Sequence, residues 1–203
     1  MTTKVRQTQQ ERRRDTKRKL LTATIECLIE EGYHAVTTTK VCQRSGMSQG
    51  AIFKHYPTKH ALLTAAIERL YEQLIDTYEV LVKGIPTTGD RIPICLQALW
   101  TLFELPQLLA VFDLHTAART DPALQKALAP FERRHREQIR LVAARIFPEA
   151  SQNPKLQAGI DLVLMVVQGT AVGNLALREP DVQRLRAETL EHVARVLLED
   201  LHD

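Results

Sequence analysis

Aromatic side chains, glycine and cysteine are all scarce in this 203-residue chain, in which Phe, Trp and Tyr make up 5% of the residues beside 8 Gly and 3 Cys. So little glycine excludes a collagen-like fibre, and a hydrophobic share of 44% excludes wholesale disorder. Cys27, Cys42 and Cys95 are odd in number and form no Cys-x-x-Cys pair, which argues against a disulfide framework and a thiolate zinc site. We therefore expect an ordinary globular protein, built as one large domain or as a small and a larger one.

Long apolar segments are also missing. The first twenty residues hold no hydrophobic stretch of the kind that a signal peptide needs. The longest purely apolar run, Leu162 to Val167, is far shorter than the roughly 20 residues that cross a bilayer. The sequence therefore predicts a cytoplasmic protein without a membrane-spanning segment.

Positive charge is concentrated at one end of the chain. Residues 1–60 carry 12 Lys/Arg and 5 Asp/Glu, a net +7, whereas residues 61–203 carry 15 and 19, a net −4, which together give the overall +3. A basic segment of this kind is expected where one end of a protein faces a polyanion. Double-stranded DNA is therefore the first partner to consider, and an anionic membrane surface bound by residues 1–31 is the alternative, although that segment lacks the aromatic-rich apolar face that such binding needs.

Helical periodicity is the pattern that the chain does show. Apolar residues recur three and four positions apart, and no window shows sustained alternation. Capping hydroxyls, glycines and prolines divide the pattern into elements. The prediction is an all-α fold of about nine helices: after a flexible basic arm (1–12) come helices over about 14–31, within 36–46, over 48–56, from 58 to near 84, and over about 92–104, 106–118, 122–146, 154–178 and 181–201.

Two short helices joined by a tight turn form the sharpest signal, between Thr37 and Tyr56. Gly46 ends the first helix and Ser48 can cap the second, which is the arrangement of a helix-turn-helix. Helical spacing turns Ile52 and Tyr56 inward, and Gln49, Phe53 and Lys54 then face outward. Ser48 and the free N–H groups of the first turn would suit a phosphate.

Residues 32–62, GYHAVTTTKVCQRSGMSQGAIFKHYPTKHAL, resemble the DNA-binding signature of the tetracycline-repressor (TetR) family. That signature runs, loosely, glycine-aromatic, Thr-Thr, Ile-Ala, Ala-Gly-Val-Ser, x-Gly-x-Leu-Tyr-x-His-Phe and x-x-Lys-x-x-Leu. The chain departs from it at Phe53, which replaces the usual Tyr and loses a hydroxyl that could reach a phosphate.

The resemblance implies an N-terminal three-helix DNA-binding domain (13–58) and a C-terminal helical bundle (59–203) for ligand binding and dimerisation. Such a protein is a homodimeric regulator, usually a repressor, that binds a palindromic operator and is released by a small-molecule effector. By carry-over, the phosphate contacts would be Thr38, Ser48, Lys54, His55 and Lys59, and the residues at or near base edges would be Thr39, Gln49, Gly50 and Phe53.

The chemistry of these side chains gives the expected roles more detail. Gln49 can pair with adenine through two hydrogen bonds, worth about 1–3 kcal/mol of discrimination. Gly50 would let the backbone approach DNA closely, and Phe53 would suit a thymine methyl group. The run Arg12–Arg14, together with Lys17, Arg18 and Lys19, is either a solvated basic face or an arm that reaches the minor groove or phosphates.

The C-terminal region offers a less specific pattern, in which the aromatic residues are core residues unless they line a pocket. The candidate ligand-binding residues are Trp100, Phe103, Phe112, His115, Phe131, Met165 and Gln168. The helices at about 154–178 and 181–201 have apolar faces wide enough for a homodimer interface. No cofactor and no metal site is expected, because no ligand set with metal-binding spacing occurs.

An all-α enzyme with its active site in the C-terminal bundle is the alternative from another class. The sequence contains no Ser/His/Asp, paired-carboxylate or metal-ligand spacing that would support one.

Overall fold

The structure is a computed structural model that describes residues 8–86, 88–148 and 153–199. Within these residues the fold is all-helical, with nine α-helices, one 3-10 turn and no strand, as the sequence predicted. The helices are α1 (Gln9–Glu31), α2 (Thr38–Ser45), α3 (Gln49–His55), α4 (Lys59–Lys83), α5 (Ile92–Phe103), α6 (Pro106–Ala118), α7 (Pro122–Ile146), α8 (Pro154–Gly173) and α9 (Pro180–Glu199), and the 3-10 turn is Tyr33–Ala35.

The described residues form two compact units. The first combines the residues up to Glu72 with Asp113–Phe131, and the second combines Gln73–Phe112 with the residues from Glu132 onward. This packing does not test which part of the chain binds DNA, so the division at residue 58 stays a prediction.

The first unit has a compact three-helix core of α1, α2 and α3. Leu20 and Leu28 from α1, Val41 from α2 and Ile52 from α3 are at most 2% exposed. Outside this core, Arg44 of α2 binds Glu30 of α1 at 2.6 Å. The first helices are therefore joined by an apolar centre and by an ion pair on its rim.

A tyrosine joins this core to later parts of the chain within the same unit. The backbone N–H of Tyr33 donates to Asp113 at 2.7 Å, and its hydroxyl donates to Asp121 at 2.9 Å. Asp121 also accepts from the backbone N–H of Leu124 at 2.9 Å, at the beginning of α7. Burial, and then the Asp121 bond, raise the pKa of Tyr33 to about 12. The turn that precedes α2 is thus fixed by two carboxylates.

The second unit contains a buried polar pair and an aromatic pair. Tyr78 and His135, which are 5% and 7% exposed, share a 2.7 Å hydrogen bond. Phe103 and Phe112 are both buried and stack with ring centroids 6.0 Å apart. A buried polar group without a partner is costly, and in this pair each side chain supplies the partner that the other needs.

Two predicted boundaries are wrong. α1 begins at Gln9, so residues 9–12 belong to a helix and not to a flexible arm 1–12, of which residues 1–7 lie outside the described residues. The reason is a capping box, in which the Thr8 side chain accepts from the Glu11 N–H and the Glu11 side chain accepts from the Thr8 N–H. α8 ends at Gly173 instead of about 178, where poor helix formers, Gly173 and Asn174, follow each other.

By length and composition alone, α8 is long and apolar enough to cross a membrane. The length of the longest uninterrupted apolar run in the sequence does not reveal this property. Only 17% of its most apolar window is buried within the chain. Leu162, Met165 and Val166 are 58%, 64% and 47% exposed. α8 therefore presents an apolar face that the described chain does not cover.

Candidate nucleic-acid interface

α3 is a two-turn helix whose two ends are set by local sequence. Ser48 is its N-cap, with extended backbone and a side-chain oxygen that accepts from the Ala51 N–H at 3.2 Å. Gly46, at φ 68°, ends α2 in the left-handed region that glycine tolerates best. Pro57 follows the last turn and prevents the helix from continuing. The predicted helix-turn-helix is present with the predicted caps.

One side of α3 is buried and the other is open. Ile52 is fully buried and Tyr56, just after the helix, is 8% exposed. On the opposite side Gln49, Gly50 and Lys54 are exposed, and Phe53 is 48% exposed. Phe53 therefore places an apolar ring on the open side of α3, beside the exposed Gln49 and Lys54.

The predicted contacts outside α3 lie at the beginnings of neighbouring helices. Thr38 and Thr39 are the first two residues of α2, and Thr39 is exposed while Thr38 is half-buried. Lys59 is the first residue of α4 and is exposed. Thr37 and Thr58 cap these helices, since their hydroxyls accept from the N–H groups of Lys40 and Ala61 at 3.2 and 3.0 Å.

The cations of this region differ in whether a carboxylate already holds them. Lys40 is held by Glu31, and Arg44 is held by Glu30. Lys54 and Lys59, by contrast, have no carboxylate within ion-pair distance among the described residues, and both are exposed. The two lysines assigned to phosphates by the resemblance are thus available for them.

His55 lies at the end of α3 in a half-buried position. Its Nδ1 is enclosed and has no hydrogen-bond partner among the described residues. Burial lowers the pKa of this imidazole, and the positive charges of Arg13, Lys17 and Lys54 lower it further. Burial and these charges therefore favour the neutral form of the His55 imidazole in the protein without DNA.

The predicted ligand-binding residues fall into separate groups. In the first unit, His115 lies 3.4 Å from the Tyr71 hydroxyl, and Phe131 stacks on the Tyr71 ring at 6.1 Å. In the second unit, Phe103 and Phe112 stack on each other.

The remaining three ligand candidates also lie in the second unit. Trp100 borders a surface groove of about 370 Å³ between α5 and α9. Met165 is 64% exposed and Gln168 is half-buried on α8. The exposure of Met165 suits an interface better than a pocket wall.

The sequence reasoning missed several residues that the structure brings to these sites. Tyr71, only 1% exposed, joins His115 and Phe131, and helical periodicity could identify it only as a core residue. Arg13 and Lys17 act on His55 from α1, and no local signal places them beside α3. In the described parts of the chain, no group of three or more His, Cys, Asp or Glu residues could hold a metal ion.

Comparisons with known proteins agree with this geometry. Residues 20–66 match the family model described as bacterial regulatory proteins, tetR family. An HTH-type transcriptional regulator of Mycobacterium tuberculosis is 29% identical over 185 residues, which cover 90% of this chain and 94% of the relative.

Solved structures share the fold. A TetR transcription regulator from Haloarcula marismortui has a TM-score of 0.68 at 20% identity, covering 90% of this chain and 98% of that one. The multidrug binding protein EbrR, solved in complex with proflavin, has a TM-score of 0.61 at 16% identity, covering 88% and 99%. Family model, relative and fold point to one class. The chain is thus similar to transcriptional regulators of the TetR family, over residues 20–66 by the family model and over most of its length by the relative and the fold, and none of these similarities is to an all-α enzyme.

Proposed function

We propose that the protein is a homodimeric, cytoplasmic repressor that binds a palindromic operator through α3 and is released by a small-molecule effector. The observation that carries this proposal is the outer side of α3, where Gln49, Gly50, Phe53 and Lys54 are exposed on a helix anchored from behind by Ile52. A helix anchored on one side and polar on the other can enter a major groove as a rigid body.

Base recognition is assigned to the side chains at the centre of this surface. Gln49 offers an amide that pairs with the N6 and N7 edge of adenine, and Phe53 offers an apolar edge to a thymine methyl group. A Cβ on Gly50 would meet only the Ser48 hydroxyl, at 3.8 Å, so nothing inside the protein requires glycine there. Close approach of DNA to this backbone accounts for the glycine. Thr39 lies at the edge of the same surface.

Phosphate binding is assigned to the residues around this centre. Lys54 and Lys59 are exposed cations at the end of α3 and the beginning of α4. Thr38 and Ser48 lie at helix N-termini, where backbone N–H groups and the helix dipole favour an anion. His55 contributes an imidazole N–H as a hydrogen-bond donor.

Dimerisation is assigned to α8 and α9. Leu162, Met165 and Val166 on α8 are exposed, and so are Leu185 and Val193 on α9, at 54% and 43%. Packing these faces against a second copy removes apolar surface from contact with water, which stabilises the dimer. A symmetric pair would present α3 twice, which matches the two halves of a palindrome.

An effector is assigned to the region of the predicted ligand residues, with support from EbrR, which shares the fold and is a multidrug binding protein. Tyr71, His115 and Phe131 combine two aromatic rings with a polar pair in the first unit, which is suitable chemistry for a flat ligand. An effector would release DNA by binding one state of the dimer more tightly than the other.

The test begins with selection of an operator from random duplex DNA by the purified protein. Gln49→Ala should then relax the preference at one base pair per half-site, and Lys59→Ala should weaken binding to all duplexes alike. Lys126→Ala, which removes an exposed lysine from α7, is the matched control and should leave binding unchanged. Selection of no sequence, or equal effects of all three substitutions, would overturn the proposal.

A further inference from the structure

Three cations from two different helices lie near the end of α3. Arg13 and Lys17 belong to α1 and Lys54 belongs to α3, and all three act electrostatically on the ring of His55. The Lys17 ammonium also lies over the Tyr56 ring, 5.9 Å from its centroid. We call Arg13, Lys17 and Lys54 the basic cluster.

The basic cluster lacks the carboxylates that neutralise other cations nearby. On the same helix, Arg18 and Lys19 are bound by Asp15 at 2.6 and 3.1 Å. No member of the basic cluster has an acidic partner within 4.0 Å in the described parts of the chain. Clustered like charges repel one another, and the arrangement is favourable when an anion lies among them.

Rigid backbone holds the cluster in place. Arg13 and Lys17 are four residues apart, hence on one face of a continuous helix that the Thr8–Glu11 capping box begins. α1 packs against α3, and Leu20 of α1 and Ile52 of α3 are both fully buried. Cations fixed on packed helices lose less freedom on binding than cations on a flexible arm.

We propose that the basic cluster is a binding site for one backbone phosphate of the DNA that α3 reads. The ligand is a phosphodiester, recognised by charge and independently of base sequence. The site extends the interface from the helix-turn-helix onto α1, and it rests on the proposed function, because α3 must lie against DNA for a phosphate to reach it.

Salt titration of DNA binding tests the site with matched substitutions. Arg13→Gln and Lys17→Gln each remove one charge from the cluster, and Arg18→Gln and Lys19→Gln each remove a cation from the same helix that is paired with Asp15. The probes are a fluorescently labelled duplex of the selected operator and a 20-bp duplex of unrelated sequence. Anisotropy gives Kd from about 50 to 200 mM salt.

Arg13→Gln and Lys17→Gln should weaken binding to both duplexes by about three- to tenfold at the lower salt concentration. They should also flatten the log–log salt slope by up to about 0.9 for each phosphate that the protein no longer neutralises. Lys17→Arg should retain the wild-type slope, and Arg18→Gln and Lys19→Gln should stay close to it.

If the wild-type protein binds its operator but the cluster variants behave like the Arg18 and Lys19 variants, the phosphate site is wrong while the proposed function stands. If the wild-type protein binds neither duplex, both proposals fall.

Discussion

Gly32 closes α1 in a backbone conformation that only glycine adopts readily. Its φ and ψ are 78° and 166°, in a region essentially closed to residues with a Cβ. A Cβ there would also lie 3.1 Å from Oδ2 of Asp113, the oxygen that accepts the Tyr33 N–H at 2.7 Å. Gly32→Ala therefore strains the backbone and displaces a hydrogen-bond acceptor at once.

The magnitude follows from these two contributions. The backbone strain costs about 1–3 kcal/mol, and weakening an exposed hydrogen bond to a carboxylate adds about 1 kcal/mol. Gly46→Ala is the matched control, since Gly46 also has a positive φ, 68°, but a Cβ there would meet nothing within 4 Å. We expect Gly32→Ala to lower the free energy of unfolding by about 2–4 kcal/mol and Gly46→Ala by about 1–2 kcal/mol.

Thermal and denaturant unfolding followed by far-UV circular dichroism measure both changes. The melting temperature should fall by about 2–4 °C for each kcal/mol of stability that a chain of this size loses. In an Asp113→Ala background, Gly32→Ala should lose the part of its cost that comes from the carboxylate contact. Equal losses for Gly32→Ala and Gly46→Ala, or an unchanged Gly32→Ala cost without Asp113, would refute the reasoning.

Three further predictions concern a cap, a carboxylate and the apolar face of α8. Ser48→Ala should lower the free energy of unfolding by about 1 kcal/mol, because the Ala51 N–H loses its acceptor. Ser48→Asp should keep the wild-type stability, because its carboxylate can still accept this hydrogen bond. Equal stability of all three proteins would contradict the role of the cap. The Leu124 N–H and then the Tyr33 hydroxyl lower the pKa of Asp121. The contribution of this carboxylate to folding stability is therefore present above the ordinary pKa of 3.8 and is lost as the pH falls through the lowered pKa. Acid titration of Asp121→Asn should show a smaller loss of stability in this pH range, and a profile identical to that of the wild type would refute the assignment. Leu162→Glu should yield monomers in sedimentation velocity, whereas Val80→Glu should stay dimeric, because Val80 is an even more exposed apolar residue but lies on α4. A dimeric Leu162→Glu protein would place the interface elsewhere.

The helix ends near the DNA interface could be predicted because their causes are local. Thr37, Ser48 and Thr58 each accept from a backbone N–H three residues ahead, so that a short stretch of sequence contains both donor and acceptor. The capping box of Thr8 and Glu11 is equally local, yet the polar composition of residues 1–12 favoured an arm, and that prediction is wrong for residues 9–12.

The candidate site could be predicted only in part, because charge in the sequence does not show which cations are already paired. Lys40 and Arg44 are as basic as Lys54, but α1 supplies acidic partners for the first two. That difference depends on how α1 packs against α2. Arg13, by contrast, belongs to a run of arginines in the sequence, and only the packing of α1 against α3 places it near His55.

The sequence by itself determined the all-α class, the helix-turn-helix and the side of α3 that faces outward, because caps and periodicity act over three to seven residues. Only the tertiary structure decided that Tyr33 is held by Asp113 and Asp121, 80 and 88 residues away, and that the candidate ligand residues fall into separate groups. Contacts between residues so distant depend on how several helices pack together, and no local pattern in the chain encodes that packing.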